Sequence, residues 1–207
     1  MTTILTTKDR VYSDTQMGNG SMVANEKVLK FIPMTEGRIA YCCGTVPNIM
    51  AAICLLEDPG RHKDRLKESI TEVTTLRILH SDGFLEAQKF TKNDKAPSMS
   101  PLLWHGYSTH KAVGSGTPFV NEFYRMGGID PLKAMAHAAR FDTATGSNFV
   151  SIPRQWNKNV GCLLTIHGEG RKKDKTLLLE HPEDKNWALN VLMGVSESQV
   201  SVLSRKL

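Results

Sequence analysis

Two threonines, Thr2 and Thr3, follow the first residue of the chain, Met1. Because only a small side chain follows the initiator, we expect Met1 to be removed and Thr2 to become the amino terminus. A terminal threonine carries a hydroxyl and a free α-amine, and this amine, with a pKa of about 7.7–8.0, can accept the hydroxyl proton. A terminal Thr2 would therefore combine a nucleophile and its base in one residue. Many proteins without this activity also begin with Met-Thr.

The hydrophobic pattern indicates how the chain start is positioned. Residues 2–8 alternate apolar and polar side chains, which is typical of a strand. After the turn at Asp9-Arg10, residues 11–13 are expected to return beside this first strand. Asp14, at the end of the second strand, is thereby brought back towards Thr2.

Strands and helices come in groups along the rest of the chain. We predict, in order, strands at 27–32 and 38–43, helices at 45–57 and 65–79, a strand at 111–113, helices at 118–125 and 131–140, strands at 148–152, 160–167 and 176–180, and a helix at 184–193. This grouping differs from the alternation of a doubly wound sheet. It favours an α+β fold in which antiparallel sheets have helices outside them, formed by one domain over residues 1–207.

Short motifs occur at intervals along this pattern. They are Thr2-Thr3-Ile4, Asp14-x-Gln16, Lys27-Val28, Cys43-Gly44-Thr45, Gly114-Ser115-Gly116 and Asp142-Thr143-Ala144-Thr145-Gly146. In order and spacing they resemble the β-type subunits of the proteasome, in the N-terminal-nucleophile (Ntn) hydrolase superfamily, and the start is similar to HslV-type peptidases. The resemblance covers residues 2–60 and 111–152, whereas residues 80–110 and 153–207 match only in the order of their elements.

The resemblance implies a fold, an activity and an assembly. The fold would be a four-layer αββα sandwich of two antiparallel sheets flanked by helices. The activity would be that of a threonine endopeptidase that needs no metal or organic cofactor. Because an open site of this kind would cleave proteins indiscriminately, the family encloses it in stacked rings. We therefore expect a homo-oligomer that receives polypeptide substrates from a separate ATPase unfoldase.

The resemblance also implies which residues act on the nucleophile. Thr2 would attack the peptide carbonyl, and Lys27 would lower the pKa of the Thr2 hydroxyl through its positive charge. Asp14 would pair with this lysine and keep it charged and oriented. Lys30 lies near the same place, but the Lys-Val pair followed by alternation favours Lys27.

The remaining implied roles concern the oxyanion and the amine. The N–H of Gly44, at a helix start, would stabilise the tetrahedral oxyanion. Ser115 would hydrogen-bond the Thr2 amine or its water, while Asp142 and Thr145 would fix Thr2 from the other side. The family usually has serine where Thr145 stands, but threonine keeps the hydroxyl, so we expect the role to be retained.

A pocket for the residue before the cleaved bond is the last implied feature. Its candidate lining is Met17, Asn25, Leu29, Cys42, Val46 and Met50. These side chains are mostly apolar, so the pocket would suit an apolar substrate residue. An equally good interpretation is that they belong to the ordinary hydrophobic core.

Composition excludes several classes of function. The chain has 207 residues, 40% hydrophobic and 23% charged, with a net charge of +5. Because no long basic stripe with interleaved aromatic residues is present, we do not expect nucleic acid to be the partner. The longest apolar run, residues 49–56, is too short to span a membrane, and no signal-peptide pattern opens the sequence.

Cysteine and histidine residues show no metal-binding spacing. The four cysteines, Cys42, Cys43, Cys54 and Cys162, form no CxxC pair. Cys42 and Cys43 lie in an apolar segment, and we interpret these two as buried, reduced core residues, which favours the cytoplasm. His80, His105, His110 and His167 have no evident acidic partner in the sequence, so they are expected to be structural or on the surface.

Two alternatives remain open at this level. One is an Ntn amidase that acts on small amides in an open monomer or dimer. The other is an inactive proteasome-like subunit, which gains support if Met1 is retained, because the amine would then be one residue away from the Thr2 hydroxyl.

We predict that the mature chain begins at Thr2. Intact-mass spectrometry of the purified protein should give the mass of residues 2–207 in essentially all molecules. A population that keeps Met1 throughout would contradict the activated-nucleophile interpretation.

Overall fold

The computed structural model describes residues 2–19, 22–25, 28–57, 60, 63–90, 98–101, 110–168 and 173–192. The strands are β1 Thr3–Thr7, β2 Arg10–Asp14, β3 Met17–Asn19, β4 Met22–Asn25, β5 Phe31–Met34, β6 Arg38–Cys42, β7 Thr74–His80, β8 Leu85–Phe90, β9 Ser98–Pro101, β10 His110–Gly114, β11 Phe149–Pro153, β12 Cys162–Ile166 and β13 Lys175–Leu179. The helices are α1 Val46–Glu57, α2 Lys63–Ser69, α3 Thr117–Arg125, α4 Pro131–Phe141 and α5 Trp187–Leu192, and a short 3₁₀ helix spans Thr35–Gly37.

The strands form two large antiparallel sheets and one small hairpin. The first sheet has the strand order β10-β1-β2-β11-β12-β13, and the second has the order β5-β6-β7-β8-β9. The hairpin consists of β3 and β4. In the first sheet, Thr3 pairs with Gly114 of β10, and Ile4 pairs with Ser13 of β2. This register brings the end of β10 and the end of β2 beside the chain start.

The hydrophobic core between the two sheets follows from the alternation of side chains along each strand. Ile4 and Val11 of the first sheet pack with Ile39 and Tyr41 of the second in one buried cluster. Leu5, the neighbour of Ile4, belongs to a different cluster on the outer face of the first sheet. The side chains of successive residues thus pack on opposite faces of the sheet, one inner and one outer.

Helices cover the outer face of each sheet. Residues of α3 and α4, including Val120 and Met135, pack on Leu5 and Tyr12. On the other side, α1, α2 and α5 pack on the second sheet in a cluster that includes Ile53. The described part of the chain is therefore a mixed α+β structure with two antiparallel sheets and five helices, consistent with the expected sandwich.

Most predicted elements agree with the structure, including the order in which strands and helices are grouped. The helix predicted from Pro131 is capped by Asp130, whose carboxylate accepts the Leu132 N–H at 2.9 Å. The hairpin predicted from residues 160–167 and 176–180 is formed by β12 and β13. Within the described residues, no helix combines the length and the apolar character needed to cross a bilayer.

The helix predicted over 65–79 is wrong. The helix α2 ends at Ser69, and Thr74–His80 forms the strand β7. Leu66 and Leu76 are both buried in one core cluster. Their apolar side chains therefore gave the sequence the pattern of a single amphipathic helix. The intervening Val73 is 61% exposed, and the β-branched residues that follow it favour an extended backbone.

The strand predicted over 27–32 is also displaced. Residues 28–30 have no strand structure, and β5 begins only at Phe31. Lys27 lies outside the described residues.

We predict that the two neighbouring leucines of β12 respond differently to truncation. Leu164 is fully buried in the inter-sheet cluster, whereas Leu163 is 53% exposed. Leu164→Ala should lower the free energy of unfolding by about 2–5 kcal/mol because it leaves a cavity. Leu163→Ala, the matched control, should change it by about 0.5 kcal/mol or less. Urea unfolding measures the free energy of unfolding of both variants. Equal decreases would contradict the assignment of Leu164 to the inner face of the sheet and of Leu163 to the outer face.

Candidate functional site

The backbone of Thr2 lies against the end of β10. The Ser115 N–H donates a hydrogen bond to the Thr2 carbonyl oxygen at 3.2 Å. Gly114 has φ +100°, and a Cβ atom added to it would lie 1.6 Å from that same oxygen. The site therefore requires glycine at position 114, both for the backbone conformation and for the close approach of Thr2.

Thr3 fixes the chain start from the other side. Its N–H donates to Asp14 Oδ1 at 2.8 Å, and its hydroxyl oxygen accepts the Gly116 N–H at 3.0 Å. The same hydroxyl lies 2.6 Å from the hydroxyl of Thr145. Because Thr3 is fully buried and held by these contacts, the position of Thr2 beside it is determined.

Asp14 is a fully buried carboxylate with four partners. Besides the Thr3 N–H, it accepts the N–H groups of Gln16 and Gly146, each at 3.1 Å from Oδ2. The fourth partner is the ammonium of Lys30, 2.8 Å from Oδ2. A buried charge with this many donors and a counter-ion is fully compensated.

Lys30 brings a positive charge into the site. Its side chain is 9% exposed; burial lowers its pKa, while the adjacent Asp14 carboxylate acts in the opposite direction. Apart from the ion pair, Nζ has no hydrogen-bond partner among the described residues. The ion pair with Asp14 supports Lys30, the alternative, in this role. Lys27, which the sequence favoured, lies outside the described residues, so that prediction stays untested.

Ser115, Asp142 and Thr145 form a second polar group. The hydroxyls of Ser115 and Thr145 both donate to Asp142 Oδ2 at 2.6 Å. Burial raises the pKa of Asp142, but these two hydrogen bonds and the Ala144 N–H outweigh it and hold the pKa below its usual value. Asp142 is therefore ionised at neutral pH. Because Thr145 donates to Asp142, it must accept from Thr3, which links both polar groups to the chain start.

Gly44 lies in the exposed turn between β6 and α1, with φ +147° and open space where a side chain would be. The preceding residue, Cys43, has its Sγ 3.9 Å from the Thr2 carbonyl oxygen. The turn that holds Gly44 is thus adjacent to Thr2. The next residue, Thr45, accepts the Ile49 N–H and so begins α1.

The predicted pocket residues do not come together as a set. Leu29 belongs to the inter-sheet cluster and Met50 to the cluster under α1, on opposite faces of the second sheet. Val46 is 40% exposed and Met17 is half-buried. The structure does not describe the side chains of Asn25 and Cys42. For Leu29 and Met50 the structure therefore favours the core interpretation.

An open cleft that the sequence did not indicate begins at the site. Its volume is about 840 Å³, and its lining includes Cys43, Gly114 and Ser115, together with Arg77 and Arg125. These residues come from β7, β10 and α3 and from the turns that follow β6 and β10, which are distant in the sequence. No local pattern connects them, which is why sequence analysis missed the cleft.

Of the histidines expected to have no acidic partner, His80 and His167 have one. His80 lies 3.3 Å from Glu86. His167 lies 3.2 Å from Asp174 through Nδ1, and its Nε2 lies 2.8 Å from Ser151 Oγ. The order Ser-His-Asp is that of a hydrolytic triad. Ser151 is fully buried within the first sheet, however, so a substrate cannot reach its hydroxyl.

Comparisons with known proteins identify no relatives: no protein-family model matches the chain, and the search of curated proteins finds no significant match. Among the described residues, no group of three His, Cys, Asp or Glu side chains could hold a metal ion.

We predict that alanine at position 114 displaces Thr2. Gly127 is the matched control, because it also has positive φ but open space around its Cα. Gly127→Ala should cost about 1–2 kcal/mol of unfolding free energy from backbone strain alone. Gly114→Ala should cost about 4 kcal/mol or more, since the Thr2 carbonyl must move. Similar costs in urea unfolding would show that the contact between Gly114 and Thr2 is not tight.

Proposed function

We propose that this chain is a threonine-type endopeptidase whose nucleophile is Thr2, exposed as the amino terminus by removal of Met1. The observation that carries the proposal is the buried Lys30–Asp14 ion pair, because Asp14 also binds the N–H of the residue next to Thr2. The Lys30 cation compensates the buried Asp14 carboxylate, and a cation beside the chain start is also what an activated hydroxyl requires.

Lys30 would act on the nucleophile through its charge. An ammonium group near the Thr2 hydroxyl favours the alkoxide that develops as the hydroxyl attacks. Burial lowers the pKa of Lys30, and the Asp14 carboxylate opposes this effect. The ion pair also fixes the orientation of the ammonium group. Among the described residues, Nζ has no hydrogen-bond partner beyond this ion pair, so its other N–H groups would donate to the Thr2 oxygen.

The α-amine of Thr2 would act as the general base. Ser115 uses its only proton on Asp142, so its oxygen is left as an acceptor and can take a hydrogen bond from the amine. This bond would orient the amine lone pair towards the Thr2 hydroxyl. Asp142, held ionised by its hydrogen bonds, favours the protonated amine that forms during attack.

The reaction follows in two steps. The Thr2 oxygen bonds to the peptide carbonyl carbon while the amine takes its proton, and the Gly44 N–H stabilises the oxyanion. The C–N bond then breaks, the amine returns the proton to the leaving group, and an ester on Thr2 remains. Water, deprotonated by the same amine, hydrolyses this ester and restores the hydroxyl.

The proposal extends to fold and assembly. The inter-sheet core and the helices on both outer faces support an Ntn-hydrolase sandwich. A cellular peptidase with an accessible nucleophile needs to be enclosed, so we propose stacked rings of identical subunits in the cytoplasm, with a separate ATPase that delivers unfolded polypeptides. Sedimentation velocity of the purified chain measures the assembly directly.

We predict that Lys30, rather than Lys27, is essential. Thr2→Ala should abolish hydrolysis of fluorogenic peptides, and Lys30→Ala should reduce it by a factor of about 10²–10³, the usual cost of losing one such electrostatic group. Lys27→Ala is the matched control and should keep most of the activity. Circular dichroism would confirm that each variant is folded.

Labelling provides an independent measurement. A peptide epoxyketone that bonds to both the amine and the hydroxyl of a terminal threonine should modify wild-type Thr2, as seen by mass spectrometry. Labelling with hydrolysis only of small amides would indicate an amidase. Absence of both labelling and hydrolysis in protein that has lost Met1 would overturn the proposal in favour of an inactive subunit.

A further inference from the structure

We infer that the cleft beside Thr2 recognises an acidic side chain of a peptide substrate, through Arg77 and Arg125. This inference rests on the proposed peptidase function and adds a substrate preference to it. It differs from the apolar pocket expected from the sequence, whose residues Leu29 and Met50 are part of the core.

The position of the cleft connects it to the nucleophile. Cys43 and Ser115 line the cleft, and both also contact the Thr2 carbonyl oxygen. Gly114, the residue that Thr2 approaches most closely, lies between them in the lining. A peptide bound with its carbonyl at Thr2 would therefore have neighbouring side chains within this cleft.

The charge of the cleft is positive. Its described lining contains Arg77 and Arg125 but neither aspartate nor glutamate. Asp142 binds the Ser115 hydroxyl but does not line the cleft. Within the described residues, neither arginine forms an ion pair. Two guanidinium groups that face one open space and form no ion pair with the described residues are suited to a carboxylate, which each can bind with two hydrogen bonds.

The positive potential around Arg77 is visible in its neighbours. Burial raises the pKa of Cys43, and the charges of Lys30 and Arg77 oppose this rise. The pKa of Lys111 is lowered by burial and then by Arg77 and by Arg154. Arg77 thus adds to an excess of positive charge, which an incoming carboxylate would relieve.

A second cleft extends the same surface. It has a volume of about 1010 Å³ and shares Asn121 and Arg125 with the first. Its charged lining adds Lys8 and Arg10 against the single acid Asp9. Because the two clefts share lining residues, they form one mainly basic surface that extends from Thr2 towards Lys8 and Arg10.

The test measures binding separately from hydrolysis. Two fluorescent hexapeptides, identical except that one has glutamates where the other has glutamines, are titrated into the full-length Thr2→Ala protein and followed by anisotropy. The glutamate peptide should bind about tenfold more tightly at low salt, as expected for charge-assisted hydrogen bonds. Added salt should reduce this preference because the cleft is open to solvent.

Variants of the two arginines test whether the preference for the glutamate peptide arises in the cleft. Arg77→Gln and Arg125→Gln should each reduce it to about threefold or less, whereas Lys63→Gln, which removes an exposed charge on α2, should leave it unchanged. Equal affinity for the two peptides, or a preference that survives in both arginine variants, would overturn the inference. Tighter binding of a single-stranded oligonucleotide of equal charge would overturn it too.

The proposed function is judged by a different measurement. Hydrolysis of the glutamine peptide by the wild-type chain shows peptidase activity whatever the charge preference. A chain that hydrolyses both peptides at the same rate and binds them equally would keep the function and lose the acidic preference. A chain that binds the acidic peptide through its arginines without hydrolysis would keep the recognition site and lose the function.

Discussion

The burial of the Asp14 carboxylate is the constraint on which the rest of the site depends. An ionised group at zero exposure is strongly unfavourable unless donors and a counter-ion surround it. Here the donors come from the first strand, from the residues just after Asp14, from the turn before β11 and from Lys30. The Asp14 carboxylate therefore connects several parts of the chain that are distant in the sequence.

Close backbone packing completes what the charge begins. The contact of Gly114 with Thr2 ties β10 to the chain start, and Gly116 binds the hydroxyl of Thr3. A hydrogen-bonded series then runs from Gly116 through Thr3 and Thr145 to Asp142. Because each hydroxyl both donates and accepts, the series has one consistent direction, and it ends on a carboxylate. Such a frame would hold the proposed amine base in a constant position relative to its own hydroxyl.

The polar frame and the hydrophobic core support each other. Ile4 and Val11 secure β1 and β2 to the inter-sheet core, while Leu5 and Tyr12 secure the same strands to the helices. The chain start thus emerges from strands that are held on both faces. By contrast, the cleft beside it is open, and its arginines form no ion pair within the described part of the chain. The proposed nucleophile and the proposed recognition surface would thus lie next to each other.

Much of the local structure could be predicted from the sequence. Alternation identified the first hairpin and hence the return of Asp14 towards Thr2, and the Asp130-Pro131 pair identified the start of α4. These features depend on neighbouring residues, whose geometry is set by side-chain alternation and by the missing N–H of proline. The motifs that resemble the Ntn hydrolases likewise indicated Ser115, Asp142 and Thr145, which the structure brings into contact.

Interactions between distant residues could be decided only by the tertiary structure. The spacing of Leu66 and Leu76 allowed one long helix, and the packing of a sheet against α1 resolved it into a helix and a strand. The pairing of Asp14 with Lys30 depends on the path of the chain between them, which no local pattern specifies. Coulomb energy depends on the distance in space rather than along the sequence. For that reason the sequence alone determined the kinds of groups at the site, and the fold decided which of them meet.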